Sequence, residues 1–565
     1  MPVTTTFPGI YIEELPSATH TITAAPTSVT VFIGYPHPFK TPPANFALPI
    51  KPIELFSFTD YENNFGGFIS SDVFSHEAPY FGDLAQAVSQ FFLNGGSVAW
   101  VVGLQPFFQG SPITPAKLVL GPLTFTAREI TDDNRVMQVT LSNPTTAAPA
   151  GGSVSVSVSQ PPDTLVDVLI TYGPPATAPA SKQPVQSESY RQVSLYTATV
   201  GGTATVPGQP NPNYILNKIN GSSGLVTVAV TVPGAAIPTT PPNPPASFPN
   251  SLALPAGAGP FIFRATDFTG VMQADTPLDK VDIFNLMVIP GVSDFGTLST
   301  AVGFCERKRA FLIMDPPIAD SAAGTVPPQS NLVQDDFSGA GPNHVPKSPN
   351  AGFYFPYVKA TDPQSGQTIE VPPSPTVAGI FATIDTNRGV WKAPAGLETT
   401  LTNVLDVVDR GRMTDARQGV LNQLGVNCVR SFSGVGPVVW GARTSVAFNT
   451  AFAQWKYVPV RRMALFLEQT LYANLGWVVF EPNDVPLWTS IKASIEAFML
   501  GLFRQGAFQG TTPSQAFQVK CDDQTTTQAD IDNGIVNIVV AFAPLKPAEF
   551  VIIKISQLAG QTQTS

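Results

Sequence analysis

The stretch from Phe284 to Asp315 spells out a complete strand–helix–strand unit, and that unit constrains the fold more than any other feature. Phe284-Asn285-Leu286-Met287-Val288-Ile289 is an apolar run stopped by Pro290-Gly291. A helix is expected near Leu298 to Glu306, and the apolar run Phe311-Leu312-Ile313-Met314-Asp315 follows before Pro316-Pro317. Two strands joined through a helix pair in parallel with a right-handed crossover, so the chain must contain a sheet covered by helices. The same grammar appears earlier. Leu84 to Phe92 has apolar residues at 84, 87/88 and 91, which is helical spacing; Asn94-Gly95-Gly96 supplies the C-cap, and Val98 to Val102 is a buried strand. Ser28 to Ile33 gives a further strand before Gly34, and helices are expected near 397–410, 414–423, 461–474 and 486–504. The fold class is therefore α/β (α+β) and multidomain.

Between 105 and 260 the composition changes. Only 12 residues there are charged, six of each sign, so the net charge of −10 lies entirely outside this block. Ser, Thr, Pro, Gly and Val dominate; Val154 to Val158 alternates with period two, and Leu225 to Val230 is rich in β-branched residues. With Pro233 to Pro260 as a proline-rich return, the block reads as a β-rich domain inserted into the α/β body. Residues 321–350 read as loop, and no internal repeat is found. Phe107, Phe108, Phe125, Tyr172, Tyr190, Tyr196 and Tyr214 supply aromatic surface for a binding site, so a surface adhesin or glycan-binding module is the alternative reading of the chain.

The two chain ends carry strands without evident partners. Phe7-Pro8-Gly9 is a turn, Ile10-Tyr11-Ile12-Glu13 has strand propensity, and Pro16 stops it. Ala516 to Val519, Ile535 to Phe542 and Phe550 to Ser556 are expected strands at the other end. Such strands must find a sheet edge in their own body or in a neighbour. Composition points the same way: of 565 residues only 12% are charged, where about 25% is usual, and 57 are proline. A weakly charged, aromatic, proline-rich surface is poorly solvated, so much of it is expected to be covered by other chains. The acidic balance leaves no basic stripe for nucleic acid. No signal peptide and no run of 18 apolar residues is present, which speaks against direct membrane insertion. Cys305, Cys428 and Cys521 are expected as buried free thiols in a reducing compartment, and the chain as a cytoplasmic product.

A search for chemistry ends without an active site, a cofactor or a metal. No GxxxxGK[ST] or GxSxG occurs, and Gly434 to Gly441 reads as a tight turn leading into a strand. His20, His37, His76 and His344 lack zinc spacing and read as solvated or turn histidines. Asp530 to Gly534 lacks the third acidic ligand and the terminal Glu of a calcium loop, and reads as a turn between strands. Asp132-Asp133, Asp335-Asp336 and Asp522-Asp523 read as exposed loop charges. On the helix Leu487 to Arg504, Trp488, Ile491, Ile495, Phe498, Met499 and Leu502 share a core face. Lys492 and Glu496 lie on its flank, where they either pair weakly or meet a partner surface.

A set of landmarks in order then identifies the family. Thr6-Phe7-Pro8-Gly9-Ile10-Tyr11-Ile12-Glu13-Glu14 is similar to the opening PGVYVEE of contractile tail sheath proteins, found in contractile phages and phage-tail-like injection systems. Phe65-Gly66-Gly67, Val288-Ile289-Pro290-Gly291, Met314-Asp315-Pro316-Pro317 and Gly389-Val390-Trp391-Lys392-Ala393-Pro394-Ala395-Gly396 resemble the next landmarks. Trp440-Gly441-Ala442-Arg443-Thr444, Tyr457 to Met463, Trp477 to Asp484 and Pro547-Ala548-Glu549-Phe550 complete them. The resemblance covers about 1–104 and 260–560, and leaves 105–260 unmatched. It implies a mixed-sheet sheath core with extended N- and C-terminal β-arms and the inserted β-rich domain.

The resemblance further implies that copies assemble as stacked six-fold rings around an inner tube protein, with baseplate and terminal cap proteins at the ends. The N-arm residues Phe7, Pro8, Gly9, Ile10, Tyr11, Ile12 and Glu13 and the C-terminal strand residues Phe550, Val551, Ile552, Ile553, Lys554 and Ile555 would join neighbouring subunits. Lys492 and Glu496 are the candidate inner-tube contact. Along the chain this gives an arm over 1–20, a first core part over 21–104, the insert over 105–260, an α/β domain over 261–350, the C-terminal core over 351–545 and a final strand and arm over 546–565. The particle would be assembled in the cytoplasm of the producing bacterium.

Overall fold

The computed structural model describes residues 20–69, 84–108, 111–112, 114–121, 123–131, 135–142, 165–174, 186–194, 214–230, 246–249, 264–316, 345–364, 366–408 and 413–554. Eight strands make the main sheet: β1 (Thr30–Gly34), β2 (Ile53–Leu55), β3 (Ala99–Gly103), β4 (Leu286–Val288), β5 (Phe311–Met314), β6 (Ala351–Phe355), β7 (Val426–Phe432) and β8 (Gly436–Trp440). Their order is β2-β3-β1-β4-β5-β6-β7-β8. From β3 to β7 the neighbours are parallel, and β2 and β8 close the two edges antiparallel. The expected strand–helix–strand unit is present: Leu286 pairs with Phe311 in parallel, and the helix between them spans Phe295–Lys308. Strands from the segments 21–104, 261–350 and 351–545 thus share one sheet, and the 350/351 boundary falls between the hydrogen-bonded neighbours β5 and β6.

Helices cover both faces, which is why the strands read as unbroken apolar runs. The helices are α1 (Phe58–Phe65), α2 (Leu84–Leu93), α3 (Phe295–Lys308), α4 (Ser374–Arg388), α5 (Asp415–Gln423), α6 (Val458–Asn474) and α7 (Val485–Arg504). Val31, Ile33, Met287, Leu312 and Met314 pack with α3 on one face. Phe32, Leu286, Val288, Phe311 and Ile313 pack with α1, α2 and α4 on the other. The C-cap expected after α2 is required twice over. Gly95 has φ +100°, and a Cβ there would lie 1.9 Å from Thr383 Oγ1 on α4, so only glycine lets the two helices approach.

The block 105–260 has its own core, built from Phe125, Val139, Ile170, Val228 and Phe248. One sheet holds Lys117–Leu120, Leu123–Ala127 and Val226–Val230; another holds Val136–Ser142, Leu165–Gly173, Gln186–Ser194 and Ala246–Ser247. Val154 to Val158 and Tyr196 lie outside the described residues. His37 at the base of this block corrects the expectation of a solvated residue. Its Nδ1 accepts the backbone N–H groups of Phe39 and Lys40 at 3.2 Å, as a turn histidine does, but the ring is fully buried. Nε2 lies 3.2 Å from Glu129, which Lys40 also engages. With Nδ1 occupied as an acceptor, the proton of the neutral ring sits on Nε2 and donates to Glu129. Burial holds the imidazole pKa below its ordinary value, with Glu129 opposing.

The expected helix over 397–410 is not formed. Residues 397–403 are irregular, Asn403 has φ +60°, and Val404–Val407 is a strand paired with Val358–Thr361. Tertiary pairing of the β-branched valines wins over helical spacing. The other three expected helices are present as α5, α6 and α7. The last core packs α6 and α7 on a two-stranded sheet, Phe517–Lys520 with Val539–Phe542, and takes in Ile22 from the N-terminal segment. A buried ion pair locks α6 to α4. Arg462 grips Asp385 through two bonds of 2.8 and 2.6 Å, and its Nη2 also donates to Thr27 O at 2.7 Å.

Candidate functional site

Both chain ends are rooted on the C-terminal part of the body. Thr23 and Asn474 exchange two bonds, Thr23 N–H to Asn474 Oδ1 at 2.9 Å and Asn474 Nδ2 to Thr23 O at 2.8 Å. Ala25 N–H donates to Thr470 Oγ1 at 3.1 Å, and His20 stacks on Trp477 with ring centroids 3.9 Å apart. The N-terminal segment thus runs along α6 up to His20. Phe7 to Glu13 lie outside the described residues.

The other end is held at Glu549. Arg443 Nε and Nη2 donate to its two carboxylate oxygens at 2.7 Å each, Asn422 Nδ2 donates at 3.0 Å and the Tyr457 hydroxyl at 3.2 Å. Partial burial opposes the charged form, but the Arg443 and Asn422 bonds outweigh it and hold the carboxyl below its usual range. Immediately beyond, Phe550, Val551, Ile552 and Ile553 are 71%, 82%, 82% and 79% exposed. Four consecutive large apolar side chains in solvent are unusual for a folded chain. The sequence expects a strand here; residues 550–554 carry none, since among the described residues they pair with no strand. Ile555 lies outside the described residues.

Two further surfaces stand out. The two-stranded sheet 517–520/539–542 has no third strand among the described residues, and Val539 on it is 50% exposed. On α7, Leu487, Trp488, Ile491, Ile495, Met499 and Leu502 are buried and Phe498 partly so, as the spacing requires. Lys492 and Glu496 stand on the outer flank, about half exposed, with Nζ and Oε1 4.0 Å apart. That separation is a loose pairing, worth little in water, and it leaves both charges open to another surface. The loop before α7 presents Phe480, fully exposed with φ +72°.

The candidate chemical groups among the described residues are engaged in structural contacts. Asp530 caps a single helical turn, Gln528–Asp532, rather than standing in a plain turn, and its carboxylate is occupied by Thr527. Asp522 Oδ1 accepts from the N–H groups of Gln524 and Thr525. Cys305, Cys428 and Cys521 are buried free thiols; burial pushes Cys428 up to about 12. His76, His344, Asp132-Asp133 and Asp335-Asp336 lie outside the described residues. Among the described residues no group of three His, Cys, Asp or Glu could hold a metal, and no helix is long and apolar enough to cross a membrane. Asp315 sits at the end of β5, where Gly291 N–H, Ser374 N–H and Ser374 Oγ donate to it at 2.9, 2.8 and 2.6 Å. It caps α4, and burial raises its carboxyl to about 6.

The Glu549 clamp was not visible in the sequence. Arg443 and Glu549 each stand inside a family landmark, but 106 residues separate them and nothing local pairs them.

Comparison with known proteins falls on the same regions. Residues 272–445 match the phage tail sheath protein central domain, and residues 451–557 the phage tail sheath C-terminal domain. The tail sheath protein of Vibrio phage KVP40 is 29% identical over 181 residues, 32% of this chain and 25% of that protein. The tail sheath protein of Burkholderia phage BcepMu is 27% identical over 336 residues, 55% of this chain and 63% of its own length. In both cases the match spans less than two thirds of the relative. The contracted sheath complex of an extracellular contractile injection system, PVC, shares the fold with a TM-score of 0.54, covering 98% of this chain and 99% of that one at 20% identity. Two adjoining sheath domains, matched in order over β4 to β8 of the main sheet and the C-terminal core, make this chain a member of the contractile tail sheath protein family.

Proposed function

We propose that this chain is the structural and mechanical subunit of a contractile sheath. It polymerises as stacked hexameric rings around an inner tube and contracts to drive the tube through a target envelope. The observation that carries the reading is the C-terminal segment: a strand-forming apolar run held out in solvent by an anchored root. An unpaired run with strand propensity and a two-stranded sheet without a third strand among the described residues are complementary halves of β-augmentation between copies. The N-terminal residues Phe7 to Glu13 supply a second strand for the same purpose.

Such a machine needs no catalytic group. Neighbours stay linked through the arms while their bodies rotate from an extended, kinetically trapped stack into one with greater burial. About 1 kcal/mol of difference, roughly 40 Å² of apolar surface per subunit, accumulates over every copy. Lys492 and Glu496 are the proposed contact with the inner tube, and baseplate and cap proteins the partners at the ends.

The test is removal of residues 1–14, or truncation after Glu549. Each variant should remain folded by circular dichroism and yet form no continuous cylinder by negative-stain microscopy; cylinders of normal length from both would overturn the proposal. Exchanging the charges, Lys492→Glu with Glu496→Lys, should impair assembly on the tube while leaving the melting temperature within a few degrees. Unaltered assembly on the tube removes α7 as that contact.

A further inference from the structure

The bonds at Glu549 continue inward. Arg443, which holds the carboxylate with two prongs, is itself fixed at its backbone by one side chain: its N–H donates to Asn427 Oδ1 at 2.6 Å, and Asn427 Nδ2 donates to its carbonyl at 2.7 Å. Arg443 Nη1 also donates to Asn422 O at 2.6 Å. Asn427 is fully buried within β7, paired with Tyr354 of β6. An unbroken run of charge-assisted and buried hydrogen bonds therefore leads from position 549 into the interior of the main sheet. One residue further the chain is in solvent.

On its other side the segment is fixed beside the two-stranded sheet 517–520/539–542. Ala543 N–H donates to Ala516 O at 2.8 Å, Gln509 N–H donates to Ala543 O at 2.9 Å, and Pro544 bridges Phe508. Leu545 to Ala548 span the distance between these two fixed points, along a groove of about 900 Å³ whose walls include Trp391, Lys392 and Trp440. Pro547 stiffens the span by fixing one of its φ angles.

We propose that Glu549 and Arg443 are positioning residues that set the departure point of the C-terminal arm. They fix that point to the eight-stranded sheet and not to the two-stranded one. This rests on the reading that the arm joins a neighbouring copy. With the clamp closed, tension on residues 550–554 is delivered to β7. With it open, the tether begins at Pro544 and gains Leu545 to Glu549, about 16 Å of reach at about 3.3 Å per extended residue. The spacing between neighbouring copies would then follow the slack of a tether and not the sheet.

The experiment uses the full chain with nitroxide labels at Ile552→Cys and Leu397→Cys; the native cysteines are buried and do not compete. Labelled chains are diluted into unlabelled ones, and the label-to-label distance distribution is read by pulsed electron resonance. A narrow distribution is expected, broadened at least twofold by Glu549→Gln and left narrow by Tyr457→Phe, which keeps three of the four contacts. If Glu549→Gln fails to fold, Arg443→Lys, which keeps the charge and loses the fork, is read in the same way. An unchanged width in the clamp variant overturns the inference. Normal cylinders from the truncation after Glu549 would instead remove the arm reading, so the two failures are told apart.

Discussion

An aspartate placed at successive positions of the exposed arm tests how the arm binds. In an extended strand neighbouring side chains face opposite sides, so Phe550 and Ile552 share one face and Val551 and Ile553 the other. All four are 71–82% exposed, so about three quarters of their burial value is unrealised in the lone subunit. At about 1.5–3 kcal/mol for full burial, that is about 1–2 kcal/mol per side chain, or about 2–4 kcal/mol for the two on a docked face. Backbone bonds at about 1 kcal/mol each are offset by about 1–2 kcal/mol of ordering per residue. The apolar pair therefore decides whether the junction forms. Ile552→Asp and Val551→Asp should differ: the one on the docked face loses its own about 1–2 kcal/mol and weakens association by at least about 5- to 30-fold, more with the cost of desolvating the carboxylate, and the other leaves it within about twofold. The critical concentration for cylinder formation, followed by light scattering, reads this directly, with circular dichroism confirming the fold. Equal effects from the two variants would refute a strand laid on an edge.

Arg462→Met should lower unfolding free energy by about 3–5 kcal/mol, because it strands Asp385, whose side chain is only 2% exposed, without a counter-charge. Adding Asp385→Leu should recover much of the loss in denaturant titrations. Acid should act through two opposed sets of groups. Glu129 and Glu549 have folded pKa values below their ordinary 4.5, so their stabilisation is present above that pH and is lost as pH falls through the folded values. His37, held neutral by burial below 6.5, acts in the same direction as pH falls below that value. Asp315 acts the other way: its folded value of about 6 lies above 3.8, so it favours folding as pH drops across that window, by on the order of 3 kcal/mol. Asp315→Asn should therefore steepen the loss of melting temperature between pH 6 and 4, and Glu549→Gln should flatten it below pH 4.5.

What the sequence shows and what it hides divide along sequence distance. The β4–α3–β5 unit is legible because period, breaker and cap all lie within about thirty residues, and the helix ends of α2 and α7 follow from local glycine and aspartate chemistry. The placement of β1 between β3 and β4 is not legible, since Thr30 pairs with Leu286 across the whole insert. The helical spacing over 397–410 misleads because Val404 to Val407 finds a strand partner at Val358. His37 looks like any turn histidine until Glu129, 92 residues on, closes over its ring. The arm shows its strand propensity plainly, whereas its anchor depends on a guanidinium 106 residues away.

The insert explains itself by where it is tied. It leaves after β3, which flanks β1 on one side, and the chain returns to β4 on the other. At its neck Arg264 lies over the Phe107 ring at 4.5 Å, so departure and return meet; Glu129 and Ile130 fasten the base beside His37 and the main core. A block with its own hydrophobic core, closed at the neck, can be exchanged without breaking any pairing of the main sheet. Residues 264–285 then cross back over the sheet, burying Phe268, Met272, Leu278 and Phe284 on the α3 face. The domain match begins at 272, within that crossing, and the roots of both arms, His20 on Trp477 and Glu549 on Arg443, sit on the C-terminal side of the body. Every contact on which assembly is proposed to depend therefore lies outside the insert, and its weakly charged surface is free to diverge.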